Sequence, residues 1–501
     1  MLLYTKVNIE LITDLDMYQM VEKGVRGGIS QISHRYSEAN HPSMESYNSS
    51  LPLKTLMYQD ANALYSWAMS QYLPLRGYKW ASTDIDYMNV PADSSIGYIL
   101  EVDIEYPESL HDAHNDYPLA PEHLKVTNNM LSPYQQKNFP PSGSVKKLIP
   151  NLHNKEKYVV HYQNLQLYVQ LGMKVTHVHR VIQFEQAPYM KAYIDLNTEL
   201  RKEAVRNGDK VGKDLFKLFN NAIFGKTCEN IRKHINFELV TSKKIARKRI
   251  AKPYFKSAKI FRHDLVGLHM LRPVIELNRP IQVGFVVLDL SKWLMYNFHY
   301  NIWMKKFPNS KLLFTDTDSL AYQITNHDVY QGMADIAENF DFSEYPKDHF
   351  LYDDKHMKVV GKFKDECLGQ LMCKFIGLRP KLYSFLYKRN AFFDWENGIE
   401  VEVDKPTPTS VQRTIIDSKN VGKGIKNNVR KLLTIDQYEE CRSDLKPIKK
   451  EMKTIRSDCH NLFTFKTDKI ALSAFDNKRW ILDDGINTLA HGHYKTKQSL
   501  Q

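Results

Sequence analysis

The sequence predicts an α+β protein built from several subdomains, and three patterns carry that prediction. In residues 311–323 an apolar approach leads into two carboxylates, and Leu320, Tyr322 and Ile324 then alternate with smaller or polar residues, as in a half-buried β-hairpin. Residues 193–226 instead hold two helix-forming runs broken by Asn207-Gly208-Asp209. With 501 residues, 43% hydrophobic and 12% aromatic, the chain can bury a large core shared among about two to four domains.

In chain order, residues 7–15 form a short apolar strand or helix, followed by Arg26-Gly27-Gly28. Paired glycines beside an arginine let a backbone approach a phosphate chain closely, although a tight turn accounts for them equally well. Asp60 ends a short apolar approach, and 63–69 has helix-forming composition stopped near Pro74. A carboxylate between a strand and a helix suits a ligand or, as simply, a helix N-cap. Residues 76–190 carry strand-like runs at 96–104 and 159–169, a proline-rich patch and Lys146-Lys147, as an inserted subdomain would.

The helical pair spans 193–206 and 211–226. On its second member Lys213, Lys217, Asn221 and Phe224 fall at i, i+4, i+8 and i+11, a single face. Two ammonium groups, an amide and a ring on one stripe suit the triphosphate and base of a nucleotide, with Gly225 leaving room for a base pair. A solvated helix face also carries lysine stripes. Residues 242–262 interleave lysines and arginines with Tyr254, Phe255 and Phe261, a pattern that tracks a nucleic-acid backbone or forms a solvated basic loop. Residues 283–288 read as a short buried strand and 290–305 as an amphipathic helix leading into the acidic hairpin. Beyond the hairpin, Gly361-Lys362-Phe363-Lys364 and residues 378–383 pair cations with aromatics. Lys419, Lys423, Lys426 and Arg430 are spaced as one basic helix face, and 471–494 reads as a small folded unit with an Asp484-Gly485 turn.

Two carboxylates one residue apart at the edge of a buried sheet, Asp316 and Asp318, repel unless a divalent cation sits between them and further oxygen donors. Alone the tripeptide is weak, because Asp-x-Asp recurs at Asp14 and Asp84, where it reads as a solvated turn. Lys+Arg exceed Asp+Glu by 69 − 57 = 12, so the surface attracts a polyanion, nucleic acid foremost. No apolar run reaches the ~18 residues of a membrane helix, and the start is too polar for a signal-peptide core. The expectation is a soluble intracellular protein without a membrane partner. Cysteines at 228, 367, 373, 441 and 459 show no Cys-x-x-Cys spacing, against a zinc finger or a disulfide framework.

Taken together and in order, these stretches resemble the polymerase motifs of family B DNA polymerases, specifically the protein-primed branch, and most closely Polinton/Maverick-type transposable elements and their viral relatives. The family motif Asp-x-x-Ser-Leu-Tyr-Pro is similar to Asp60-Ala61-Asn62-Ala63-Leu64-Tyr65-Ser66. Lys-x-x-x-Asn-Ser-x-Tyr-Gly is similar to the stretch from Lys217 through Asn221, Ala222 and Phe224 to Gly225, and Tyr-x-Asp-Thr-Asp-Ser to Phe314-Thr315-Asp316-Thr317-Asp318-Ser319. Lys381-Leu382-Tyr383 matches the Lys-x-Tyr motif, and Arg26-Gly27-Gly28 stands for Tyr-x-Gly-Gly without its tyrosine. The similarity to the Polinton group extends over nearly the whole chain, including the Gly485 to Tyr494 stretch near its end.

The resemblance implies a right-hand polymerase of palm, fingers and thumb. Residues 1–75 would start the palm, 76–190 would form a terminal-protein-region-like insertion and 191–226 the fingers helices. Residues 227–280 would be a second insertion of strand-displacement type, 281–387 the rest of the palm and 388–501 the thumb and C-terminal region. It implies DNA synthesis by nucleotidyl transfer from a dNTP to a primer 3′-hydroxyl, or to the hydroxyl of a terminal priming protein, on a DNA primer-template, in replication of a mobile or viral-type element. Asp60, Asp316 and Asp318 would be catalytic. Two Mg²⁺ ions, with Mn²⁺ able to substitute, would be bridged by Asp60 and Asp318, supported by Asp316 and completed by the Ala61 carbonyl. Lys213 and Lys217 would neutralise the β- and γ-phosphates, with Arg201 reaching from the facing helix. Tyr65 would lie under the sugar and exclude a 2′-hydroxyl, and Asn221 and Phe224 would pack on the incoming base pair. Lys381 and Tyr383 would grip the primer end, with Arg26, Gly27, Gly28, Gly225, Lys226 and Thr317 completing the DNA-facing set. The location would be nuclear in a eukaryotic host and cytoplasmic otherwise.

Departures from the family pattern are Ala63 and Ala222 for serine, Ser66 for proline, and Phe224 and Phe314 for tyrosine. They keep shape while losing hydroxyls or a rigid turn, so altered fidelity or nucleotide affinity is expected. With 59 residues before Asp60, the proofreading exonuclease domain that the family carries there is expected to be lacking. Two other readings stay open: a decayed or domesticated DNA-binding remnant without polymerase activity, and an RNA-directed polymerase, whose hairpin would more often read Asp-Asp.

Overall fold

The acidic hairpin, Ser310–Asp316 with Ser319–Thr325, lies in the interior of the main sheet of the protein. A computed structural model describes the chain except residues 142, 144, 395–399, 402–409, 459–460 and 499–501. Across the sheet the order is Ser30–Ile32, Ser310–Asp316, Ser319–Thr325, Lys54–Ala61, Met372–Arg379 and Leu382–Asp394, each antiparallel to its neighbour. Phe363–Asp365 also pairs with Lys54–Ala61, and Ser410–Gly422 with Leu382–Asp394. Register fixes the chemistry: Asp60 faces Ser319 on one side and Lys364 on the other, and Asp316 faces Ser30. One face is filled by Ile32, Tyr58, Phe314, Phe375, Tyr383 and Phe385, a mostly aromatic cluster that keeps the central strands from sliding.

Behind the sheet runs helix Ile281–Asn297, continued by a π-helical turn over Phe298–Trp303. Every residue from Gln282 through Lys292 is buried, and the helix packs against Leu15–Gly24, Leu64–Met69, Tyr162–Gln170 and Lys210–Thr227. This corrects two expectations at once, the strand at 283–288 and the separate amphipathic helix at 290–305. An apolar run this continuous has no periodicity to separate buried strand from buried helix, and the length decides for helix.

Three other segments depart from their expected form. Residues 7–14 have no regular structure; Asp14 accepts from the Asp16 and Met17 N–H groups and caps Leu15–Gly24. In 159–169 the strand stops at His161 and helix Tyr162–Gln170 follows. Lys419 lies on strand Ser410–Gly422, and only Asn427–Arg430 is helical, so the expected basic helix face over 419–430 does not form.

Leu73–Ala81, Ile96–Glu105, Lys155–His161 and Lys174–Ala187 form a four-stranded sheet, so residue 76, the expected start of the first insertion, falls inside a strand. Helices Lys191–Arg206 and Lys210–Thr227 form the expected antiparallel pair, with Gly208 at φ 69° in the turn. A three-stranded sheet, Asn236–Val240, Leu265–Met270 and Phe255–Arg262, packs against helix Lys243–Ile250. A long hairpin, Ile448–Asp458 with Asn461–Leu472, precedes the last segment. That segment is no separate unit. Buried Arg35 donates to the carbonyls of Leu378, Ala474 and Gly485, while Arg479 reaches those of Asn115 and Thr488. Leu382–Asp394 runs through position 388, where the thumb was expected to start. Four cysteines are free thiols, and Cys459 lies outside the described residues.

Candidate active site

Asp60 and Asp318 meet because strand Lys54–Ala61 and the second strand of the acidic hairpin are adjacent. The Ala61 N–H donates to the Asp318 carbonyl at 2.7 Å. At the hairpin tip Thr317 adopts φ 68°, and its N–H donates to the Ile29 carbonyl at 2.6 Å. Gly28 lies directly against this tip: a Cβ there would come within 2.4 Å of the Thr317 methyl. Gly28 and Thr317, expected to face DNA, thus contact each other, while Gly27 is exposed with open space beside it.

A cleft of about 500 Å³ opens beside the two carboxylates. Its walls are Asp60, Ala61 and Asp318 from the sheet, Tyr65 from helix Leu64–Met69, and Arg201, Lys217, Asn221 and Phe224 from the helical pair. Lys358 and Lys364 close the remaining side. Tyr65 and Phe224 stack with ring centroids 4.4 Å apart, tying the sheet's helix to the helical pair. The Nε of Arg201 is buried without a hydrogen-bond partner among the described residues, an unmet donor at the cleft wall. Lys213 is exposed one turn from Lys217 and does not line the cleft. Gly225 borders open space, and Lys226 is ion-paired with Glu229 at 2.8 Å. A second groove of about 580 Å³ lies elsewhere, beside Lys23, Glu101 and Arg180, whose charges already pair with one another.

The charges are unevenly matched. Burial, then the negative charges of Asp318 and Glu366, push the Asp60 carboxyl up to about 7, against the pull of Lys364 and Lys419. Burial raises Asp318 as well, with Asp316 adding to it and Lys381 opposing. Burial and the Asp318 charge push the Tyr65 phenol up to about 12, so it remains a neutral hydroxyl. Asp316 is held in an ion pair with Lys381, itself at φ 62°.

These residues fit a divalent cation. Burial and the neighbouring carboxylates both disfavour the charged forms of Asp60 and Asp318, which is the condition a cation relieves. Among the described residues no third Asp, Glu, His or Cys completes a cage. A site of that kind suits Mg²⁺, which takes one or two carboxylates and fills its remaining positions with water and substrate phosphates.

Two expected DNA contacts are turned inward. The Arg26 guanidinium donates to the carbonyls of Gly24 and Val159 and lies 3.8 Å from the Tyr158 ring centroid, leaving it 6% exposed. Tyr383 is buried, with its hydroxyl 3.1 Å from that of Tyr58. In the other direction, sequence reasoning missed Lys364, Glu366 and Lys419. Glu366 bridges the two lysines at 2.8 and 2.9 Å, and Lys364 sits 3.7 Å from Asp60. The alternation in Lys362-Phe363-Lys364 was the available signal: Phe363 stacks on buried Phe298 at 3.6 Å, so Lys364 must turn to the opposite face.

Residues 3–302 match the family model described as DNA polymerase type B, organellar and viral. No curated protein matches the chain. Among solved structures, Phi29 DNA polymerase in ternary complex with primer-template DNA and incoming nucleotide substrates is 13% identical, with a TM-score of 0.54 over 94% of this chain and 65% of that one. The same polymerase in an orthorhombic crystal form gives 12% identity and a TM-score of 0.54, over 94% and 65%. Its binary complex with primer-template DNA gives 13% and 0.51, over 93% and 64%. The fold is therefore that of a right-hand polymerase, and the chain spans about 65% of the length of the polymerase it matches. Among the described residues no helix is long and apolar enough to cross a membrane.

Proposed function

The chain belongs to the organellar and viral type B DNA polymerases, and from that premise we propose that it extends DNA on a DNA template, transferring a nucleotidyl group from a dNTP to a primer 3′-hydroxyl with release of pyrophosphate. The observation that carries this reading is one cleft that holds Asp60, Asp318, Tyr65, Lys217, Arg201 and Phe224 together. That set provides for every part of a nucleotide: carboxylates for its cation, positive side chains for its phosphates, rings for its sugar and base.

Divalent cations, Mg²⁺ or Mn²⁺, held by Asp60 and Asp318 would supply charge stabilisation at the transferring phosphoryl group and an activated primer hydroxyl. The chain's own residues do the rest. Lys217 and Arg201 hold the triphosphate and offset the charge that develops as pyrophosphate departs. Lys213, one turn further out, reaches only phosphates that extend past the rim. Tyr65, braced by Phe224, floors the sugar site and leaves no space for a 2′-hydroxyl. Asn221 and Phe224 bound the nascent base pair, and Gly225 leaves room beside it. Asp316 and Lys381 neutralise each other at the hairpin tip, which sets Lys381 at the edge of the primer site. Tyr383 supports that edge from within the core. Priming by a protein hydroxyl and service to a Polinton-like element are the biological setting we infer for this chemistry, on the motif resemblance.

Primer extension with a labelled DNA primer, dNTPs and Mg²⁺ tests the reading. Wild type extends the primer, and Asp318→Ala lowers the rate by roughly a thousandfold or more. DNA binding without extension by either protein would instead mark a binding remnant.

A further inference from the structure

Lys364 has no part in the scheme above, yet its strand register sets it directly across from Asp60. Its ammonium lies 3.7 Å from Asp60 Oδ1 and 2.8 Å from Glu366 Oε1, so a single positive charge spans two carboxylates. The side chain is 26% exposed, and what it is exposed to is the cleft it shares with Tyr65 and Lys217. We propose that Lys364 is a place-holder, occupying the cation's share of Asp60 while the cleft is empty and moving onto the triphosphate when nucleotide and cation arrive together. The proposal rests on the reading that the cleft takes a nucleoside triphosphate.

Three features make the exchange feasible. A divalent cation and an ammonium cannot share one carboxylate without strong repulsion, so binding of the first displaces the second. Lysine's charge sits on a flexible four-carbon stem with three rotatable donors, and it can turn from Asp60 towards phosphate oxygens without moving its strand. Glu366 is not abandoned by the move, because Lys419 holds it at 2.9 Å from the other side. The consequence is coupling. Without nucleotide the ammonium competes with the cation; with nucleotide it has phosphates to bind, so cation and nucleotide each strengthen the other.

The test measures Mn²⁺ binding to the full chain without DNA or nucleotide, by the electron paramagnetic resonance signal of free Mn²⁺. Lys364→Met and Lys364→Gln are expected to bind Mn²⁺ roughly 5- to 20-fold more tightly than wild type. Lys364→Arg should match wild type, and Asp60→Asn should lose the site. In primer extension the Met and Gln variants should show a KM for dNTP raised roughly tenfold with kcat changed much less. Equal or weaker Mn²⁺ binding by both neutral variants, or an unchanged KM for dNTP, would overturn the proposal. A wild-type protein that fails to extend primers would overturn the polymerase reading, while the Mn²⁺ comparison would still decide whether Lys364 guards the carboxylate.

Discussion

Asp60 is held where its carboxyl prefers to keep a proton. It is only about a quarter exposed, and that burial, then the charges of Asp318 and Glu366, push it up to about 7, whereas an ordinary aspartate ionises near 3.8. Between those values the folded chain binds a proton that the unfolded chain has released. Stability therefore falls as pH rises through that window, and the penalty is complete above pH 7. Without divalent cations at about pH 8, Asp60→Asn should be more stable than wild type by on the order of 2 kcal/mol. The difference should vanish near pH 4 and shrink on adding Mg²⁺ at the higher pH, since a bound cation relieves the same repulsion. Thermal melts across that range check it, and a pH-independent difference would show that the charge is not the cause. That Asp60, Asp318 and Lys217 come to one cleft could be expected, because each sits in a motif. The placement of Arg26 and Lys364 could not, since spacing does not say whether a side chain turns to solvent, to a carbonyl or to a carboxylate brought alongside by strand pairing.

The hairpin tip depends on a contact made far away in the chain. Thr317 is left-handed and pressed onto Gly28, so the Arg-Gly-Gly stretch acts as a seat for the acidic turn. Gly28→Val must displace a short, branched side chain on a strained backbone. Stability should fall by only about 1–3 kcal/mol. Extension should fall roughly a hundredfold, because ångström-scale misplacement of reacting groups costs that much. Adding Thr317→Gly, which removes the clash and suits the positive φ, should recover most of the rate. Comparing melts with extension rates for the single and double variants checks this, and full activity in Gly28→Val would contradict it. The helical pair and the hairpin were legible because periodicity and turn residues agree in both. Helix Ile281–Asn297 was not, because a helix buried on all sides has lost the polar face that reveals its period.

Across the whole molecule, the sheet gathers residues that the sequence keeps far apart. Strand Lys54–Ala61 lies between the acidic hairpin and the strands that follow it, and only that order puts Asp60 beside both Asp318 and Lys364. Buried Arg35 then binds the Ala474 and Gly485 carbonyls of the last segment, and Arg479 from within that segment binds the Asn115 carbonyl, which is why residues 471–494 are woven into the fold rather than appended to it. A right-hand fold could be expected from four motifs in order, whereas the path of the C-terminal segment had no local pattern to reveal it. We propose that Asp60 and Asp318 share their cation with a nucleotide lying in the cleft. Anomalous scattering from Mn²⁺ in crystals of the chain with primer-template and a non-hydrolysable dNTP tests it most directly. Mn²⁺ peaks bonded to both carboxylates are expected, with the triphosphate against Lys217 and the sugar over Tyr65. Peaks at other residues, or a nucleotide bound outside the cleft, would contradict it.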